Sequence, residues 1–168
     1  NAEDRAKSWA QALLFGKTAT EEAQSWVESG FKSLSAKETA AYQGMTEGGT
    51  DQRESYAFVT AMKKVDDKNA KLAMLYAYDI PQNAKTAYYY SVMASDEEQA
   101  KMDALAADGV GYDDYMQYKQ TYFKAFGTQS ASQERVQTIL DGMNLTKTQK
   151  AAIWAAMGKD WKEENNPY

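Results

Sequence analysis

The sequence contains no cysteine and no histidine, and only two prolines, Pro81 and Pro167. These absences exclude disulfides, Cys/His zinc sites, His-ligated haem and the Ser-His or Cys-His nucleophile pairs. Met haem ligands and all-carboxylate metal sites stay open. Zero cysteines also fit a reducing compartment. Aliphatic bulk is scarce as well: Leu, Ile, Val and Phe supply 22 of 168 residues. So small a share accompanies disorder when net charge is high, but here 24 acidic and 19 basic residues leave only −5. No run approaches the roughly 18 apolar residues of a membrane span.

Alanine, by contrast, supplies 27 residues, beside 12 Tyr, 8 Met and 4 Trp. Ala and Met favour helix, and the β-branched residues are too scattered for a sheet. The composition therefore predicts an all-α protein with a core of aromatics and Met packed between Ala-rich faces. Its mild acidity, with both signs interspersed, disfavours duplex nucleic acid as a principal ligand.

Helix start and stop signals divide the chain into about ten short helices in helix-turn-helix pairs. Ala6, Trp9, Leu13 and Leu14 recur at helical spacing up to Gly16, and a second short helix carries Trp26 and Val27. Ser35-Ala36-Lys37-Glu38, Ser95-Asp96-Glu97-Glu98 and Thr146-Lys147-Thr148-Gln149 are each capping boxes, in which two side chains satisfy orphan helix amides. Tyr56, Val59 and Met62 mark one inward face, and Tyr115, Tyr118, Tyr122 and Phe126 another. Tyr88, Tyr89, Val92 and Met93 belong to a single helix begun at Pro81. We expect residues 1–2 to be a tag remnant on a piece of a longer protein. Residues 3–110 then form an N-terminal helical subdomain, 111–158 a C-terminal three-helix module and 159–168 a polar tail.

Two stretches share a pattern. Lys71-Leu72, Leu75-Tyr76, Ile80, Lys85 and Tyr89 align with Arg135-Val136, Ile139-Leu140, Leu145, Lys150 and Trp154, with one residue inserted in the second copy, and each follows a helix bearing tyrosine, residues 51–65 and 112–126. A spacing of 60 to 65 residues is consistent with two duplicated three-helix units, and equally with unrelated capped hairpins.

Constellations that could carry chemistry are few. Asp66-Asp67 and Asp113-Asp114 suit helix starts better than a metal or glycosidase site, because carboxylates favour the positive end of the macrodipole. Residues 103–114 lack the ligand order of an EF-hand. Gly48-Gly49 and Gly109-Val110-Gly111 match no phosphate-binding loop. The aromatic face of residues 115–126, interleaved with Lys119 and Lys124, is either a core stripe or a stacking surface for single strands. Tyr88-Tyr89-Tyr90 could extend it; Tyr90 and Phe123 lie off the main stripes and, with Lys119 and Lys124, are the candidate exposed contacts. We expect no catalytic residue, no metal ligand and no cofactor.

Ala12-Leu13-Leu14-Phe15-Gly16-Lys17, Ala23-Gln24-Ser25-Trp26-Val27 and Phe31-Lys32-Ser33-Leu34-Ser35 resemble a region of large phage-like or polyvalent mobile-element proteins of Firmicutes. Tyr112-Asp113-Asp114-Tyr115, with Arg135-Val136, Leu145-Thr146, Gln149-Lys150 and Trp154, resembles a closing module of the same proteins. The resemblance covers most of residues 9–158. It implies a non-catalytic, C-terminal helical region of a prophage or mobile-element protein, in the bacterial cytoplasm or associated with the virion. Its partners would be other domains of the parent chain or proteins of the virion or element. The family's Asp/Gly-rich loop falls here at Gly127 to Ser132, which has no Asp. Structural protein–protein interaction is thus the first expectation. A single-strand nucleic-acid accessory domain with a Lys/Tyr face comes second, and a carboxylate-dependent enzyme third. The oligomeric state stays open.

Overall fold

A computed structural model describes residues 33–158 and 160–168, and every regular element among them is helical. Eight α-helices are present in these residues rather than about ten; the two expected before residue 31 lie outside the described part. Contacts divide the chain into two units, with the division between Ala94 and Ser95.

In the first unit, α1 (Ala36–Glu47) begins at a complete capping box. The Glu38 N–H donates to Ser35 Oγ at 3.1 Å, and the Ser35 N–H donates to Glu38 Oε1 at 2.9 Å. Gly48 caps its end and Gly49 turns the chain at φ 105°, a conformation that a Cβ disfavours. Asp51 caps α2 (Gln52–Lys63) and Asp67 caps α3 (Lys68–Ala77) through the Ala70 amide at 2.8 Å. Pro81 precedes α4 (Gln82–Tyr88). The helix α1 packs on α2 and α4. At Gly44 a Cβ would stand 3.2 Å from that of Ala87, so glycine permits the close approach.

The helix expected to continue through Met93 instead widens into a π turn at Tyr89–Met93, where the Ala94 amide reaches back to the Tyr89 carbonyl at 2.8 Å. Tyr88 and Tyr89 are adjacent in sequence and both buried, and the widened turn accommodates both. The core of this unit is Tyr42, Met45, Phe58, Met62, Leu75 and Tyr88. Phe58 is fully buried while Tyr56, the expected inward residue, is half-buried.

The second unit holds α5 (Asp96–Ala107), α6 (Tyr112–Phe126), α7 (Gln133–Asp141) and α8 (Lys147–Ala155), each packed on the next. Ala94 leaves the π turn in extended conformation and α5 then packs on α6. The division therefore falls at Ala94 and not after residue 110. Gly109-Val110-Gly111, the expected boundary, is a turn within the unit: Val110 is fully buried and its amide donates to the Leu105 carbonyl at 2.9 Å. Thr146 and Gln149 form a complete capping box on α8. Met102, Tyr115, Met116, Leu140, Ile153 and Trp154 fill the core. No helix among the described residues is long and apolar enough to cross a membrane.

Candidate functional site

Among the described residues, a polar cluster joins the start of α5 to the middle of α6. Ser95 caps α5 as expected, its Oγ accepting from the Glu98 amide at 3.1 Å. The reciprocal half of that capping box is missing, because the Glu98 carboxylate is directed to α6 instead. Its Oε1 accepts from the Tyr115 hydroxyl at 2.6 Å and from Lys119 Nζ at 3.1 Å, and Oε2 lies 3.8 Å from Lys101 Nζ. Burial pushes the Glu98 carboxyl up, but Lys119, the two hydrogen bonds and Lys101 outweigh it and hold the group below its ordinary value. One turn away, the Tyr112 hydroxyl donates to Asp103 Oδ1 at 2.8 Å.

A carboxylate held ionised in this way is a weak base and an unavailable acid at neutral pH. Tyr115 is 2% exposed and sits beneath it. The arrangement is suited to fastening α5 against α6.

The candidate contact residues separate. Lys119, expected as an accessible cation, is half-buried and paired with Glu98; its Nζ also lies 5.6 Å from the centre of the Tyr115 ring. Phe123 is half-buried and Lys124 is exposed on the same helix. Tyr90 is half-buried in the π turn of the first unit, so it belongs to a different body from the other three. The aromatic row of α6 is continuous, with ring centres 6.2, 6.2 and 5.3 Å apart from Tyr115 through Tyr118 and Tyr122 to Phe126. Its first two rings are core and its last two are half-buried. Tyr112, 39% exposed, was not singled out by the sequence pattern, since it precedes the stripe.

Of the acidic pairs, Asp67 caps α3, and Asp113 and Asp114 occupy the first turn of α6 behind Gly111. Among the described residues no three acidic side chains converge in a way that could hold a metal ion. A buried amine in the first unit escaped the sequence reading. Lys85 donates to the Tyr76 carbonyl in the last turn of α3 at 2.7 Å. Burial lowers its pKa against the opposing influence of Asp79. There it donates to a carbonyl of the last turn, where a helix runs out of its own amides. The described residues also line open depressions, one of about 280 Å³ beside Lys68, Lys71 and Met93 and one of about 350 Å³ beside Leu105, Asp108 and Ala152.

Comparison of the chain with family models, curated proteins and solved structures finds no match.

Proposed function

We propose that this chain is a non-catalytic helical interaction module of a large phage-like or mobile-element protein, acting by protein contact in assembly, packaging or element transfer. One observation carries the reading. The ionisable groups that cluster in the second unit are engaged in joining α5 to α6, while the same α6 keeps Tyr112 partly accessible at its start and Phe123 partly accessible next to the exposed Lys124 near its end. Aromatic and cationic side chains in such positions are the usual anchors of protein interfaces. The sequence resemblance to mobile-element proteins supplies the biological setting, including a bacterial cytoplasmic or virion-associated location.

The duplicated-unit reading is part of the same proposal. The matched stretches fall one in each unit, Leu75-Tyr76 and Ile139-Leu140 are buried alike, and Tyr89 and Trp154 are both buried. Lys85 is buried where Lys150 is half-buried, so the copies have diverged at that position.

A single-strand binding role ranks second, because Lys119 is committed to Glu98 and the rings of Tyr115 and Tyr118 are buried, which leaves few stacking faces. A carboxylate-dependent enzyme ranks third. A photo-cross-linking residue at Lys124, in the parent protein within its own cell, tests the order. Cross-links to a protein of the virion or element are the expected result. If no protein is caught, and a labelled single strand binds at low salt and dissociates at high salt, the second reading replaces the first. Failure of both sinks the two together.

A further inference from the structure

The expected polar tail is bound to the second unit. From Gly158 the chain turns back along α8, and Trp161 places its ring edge-on to that of Trp154, with centres 4.4 Å apart. A single 3₁₀ turn, Glu163–Asn165, leads to Asn166. The Asn166 side chain bonds in two directions: Nδ2 donates to the Ala151 carbonyl at 3.1 Å, and Oδ1 accepts from the Tyr168 amide at 3.0 Å. Pro167 between them fixes its own φ and holds Asn166 extended. The Tyr168 hydroxyl then donates to Asp141 Oδ1 at 2.5 Å, and Lys150 Nζ lies 5.7 Å from the centre of its ring.

Three side chains, an indole, an amide and a phenol, thus each meet a particular group on α7 or α8. The residues between the first two anchors, Lys162 to Asn165, are exposed. The anchors themselves are half-buried. Spaced anchors with solvated residues between them are how a short peptide segment is recognised by a folded surface. A core element, by contrast, buries a continuous face. Trp154, 2% exposed, gives this surface its apolar centre, and Lys150 and Asp141 give it opposite charges that match a ring face and a phenol proton.

We propose that the α7–α8 face is a binding groove for the Trp161…Asn166-Pro167-Tyr168 segment, closed here by the chain's own copy and open in trans to the same segment of a second copy. The second copy is the occupant because every copy carries both the groove and the segment that fits it. Within one chain the short connection gives the segment a high effective concentration, so the closed form dominates in dilute solution. Exchange becomes visible when closure in cis is impaired, which is the logic of segment swapping. This groove lies apart from the accessible positions of α6, and a failed cross-link at Lys124 does not bear on it.

The test uses the full chain in two altered forms and a fluorescent peptide of residues 160–168. Trp161→Ala with Tyr168→Phe weakens the segment and leaves the groove intact; Asp141→Ala with Lys150→Ala does the reverse. The peptide should bind the segment variant at least tenfold more tightly than it binds either the wild type or the groove variant. An equimolar mixture of the two variants should sediment as a 1:1 pair where each alone is monomeric. Equal affinity for all three chains, or no saturable binding to a segment variant with wild-type ellipticity, overturns the groove; absence of the pair overturns the second copy as occupant. Amide exchange on the wild-type chain covers the case of a variant that does not fold. Asn166 and Tyr168 amides that open before those of α8 support the proposal. Opening only with global unfolding makes the segment part of the core and refutes it.

Discussion

Replacing Glu98 should loosen α5 from α6 by an amount that follows from its partners. The Tyr115 hydroxyl reaches the carboxylate at 2.6 Å from a position that is itself 2% exposed. A hydrogen bond to a charged group contributes about 1.5–3 kcal/mol, and truncating the acceptor removes that bond from a buried phenol. The side chains of Lys119 and Lys101 are 29% and 31% exposed and can regain water, so their ion pairs add at most about 1 kcal/mol. Glu98→Ala should therefore cost about 2–4 kcal/mol. Glu98→Gln keeps an acceptor for Tyr115 and should cost about 1–2 kcal/mol. Urea denaturation followed by ellipticity measures both, and a cycle with Tyr115→Phe should show a coupling above about 1 kcal/mol. In a unit of this size each kcal/mol corresponds to about 4–8 °C in Tm. The pH dependence is a second reading. Because Glu98 is held below its ordinary value of 4.5 in the folded chain, its contribution is complete above that pH and is lost as the pH falls through the depressed value. Wild type and Glu98→Gln should thus converge in acid. A cost for Glu98→Ala below about 0.5 kcal/mol, with no coupling to Tyr115, would refute the assignment of this cluster as the fastening between the helices.

Other expectations concern the two cores and the caps. Phe58, fully buried with the rings of Tyr78 and Tyr88 at 4.8 and 5.1 Å, should cost about 3–5 kcal/mol on replacement by Ala, read as a lower urea midpoint. Thr146→Ala removes one half of the α8 capping box and should cost about 0.5–2 kcal/mol, with Ser restoring most of it. Tyr88 is fully buried and its hydroxyl has no hydrogen-bond partner, so Tyr88→Phe should be neutral or stabilising at pH 7. Burial, with a smaller effect from Glu38, pushes that phenol from 10.0 up to about 12. Wild-type stability is therefore undiminished by this group below pH 10 and falls as the pH rises from 10 toward 12, a loss that Tyr88→Phe should lack in denaturation measured across that range.

Local signals were legible where the partner lies within one turn. Ser35 with Glu38, and Thr146 with Gln149, form the boxes that their spacing predicts, because both halves are three residues apart. Ser95 with Glu98 has the same spacing and forms only half of one. The partners that draw Glu98 away, Tyr115 and Lys119, are 17 and 21 positions distant, beyond any local window. The same reason accounts for Lys119, whose place on an aromatic helix suggested an accessible cation. Periodicity finds Val59 and Met62 but takes Tyr56 over Phe58: the buried face is Ser55, Phe58, Val59 and Met62, an i, i+3, i+4, i+7 stripe whose first member is a polar serine and so hides the register. The glycines at 109 and 111 marked a turn correctly; its rank as a boundary was set by Val110 packing into the second unit. The bound segment at 161–168 has the sequence of a polar tail because its anchors are separated by solvated residues and show no period.

The scarcity of aliphatic residues has a structural consequence beyond the size of the core side chains. A Leu core asks nothing of its surroundings, whereas a buried or half-buried Tyr brings a hydroxyl that is costly to leave unbonded, as at Tyr88 in the first unit. In the second unit these hydroxyls reach Glu98 from Tyr115, Asp103 from Tyr112, the Met157 sulfur from Tyr118 and Asp141 from Tyr168. Every one of these contacts joins two different segments, so the phenols act as ties in a chain that has no disulfide or histidine to offer. Tyr122 is the sharpest case. Its hydroxyl lies 3.0 and 2.9 Å from the carbonyls of Gln129 and Ser130, in the turn between α6 and α7 that Arg135 also holds through Ser130. Because the contact is exposed, Tyr122→Phe should cost little global stability, at the low end of about 0.5–1.5 kcal/mol. It should nevertheless speed amide exchange and limited proteolysis within residues 127–132, since that turn would retain Arg135 as its remaining side-chain tie from the adjoining helices. Unchanged exchange there, with the hydroxyl removed, would show that backbone geometry alone sets the turn and that the phenols serve only to fill space.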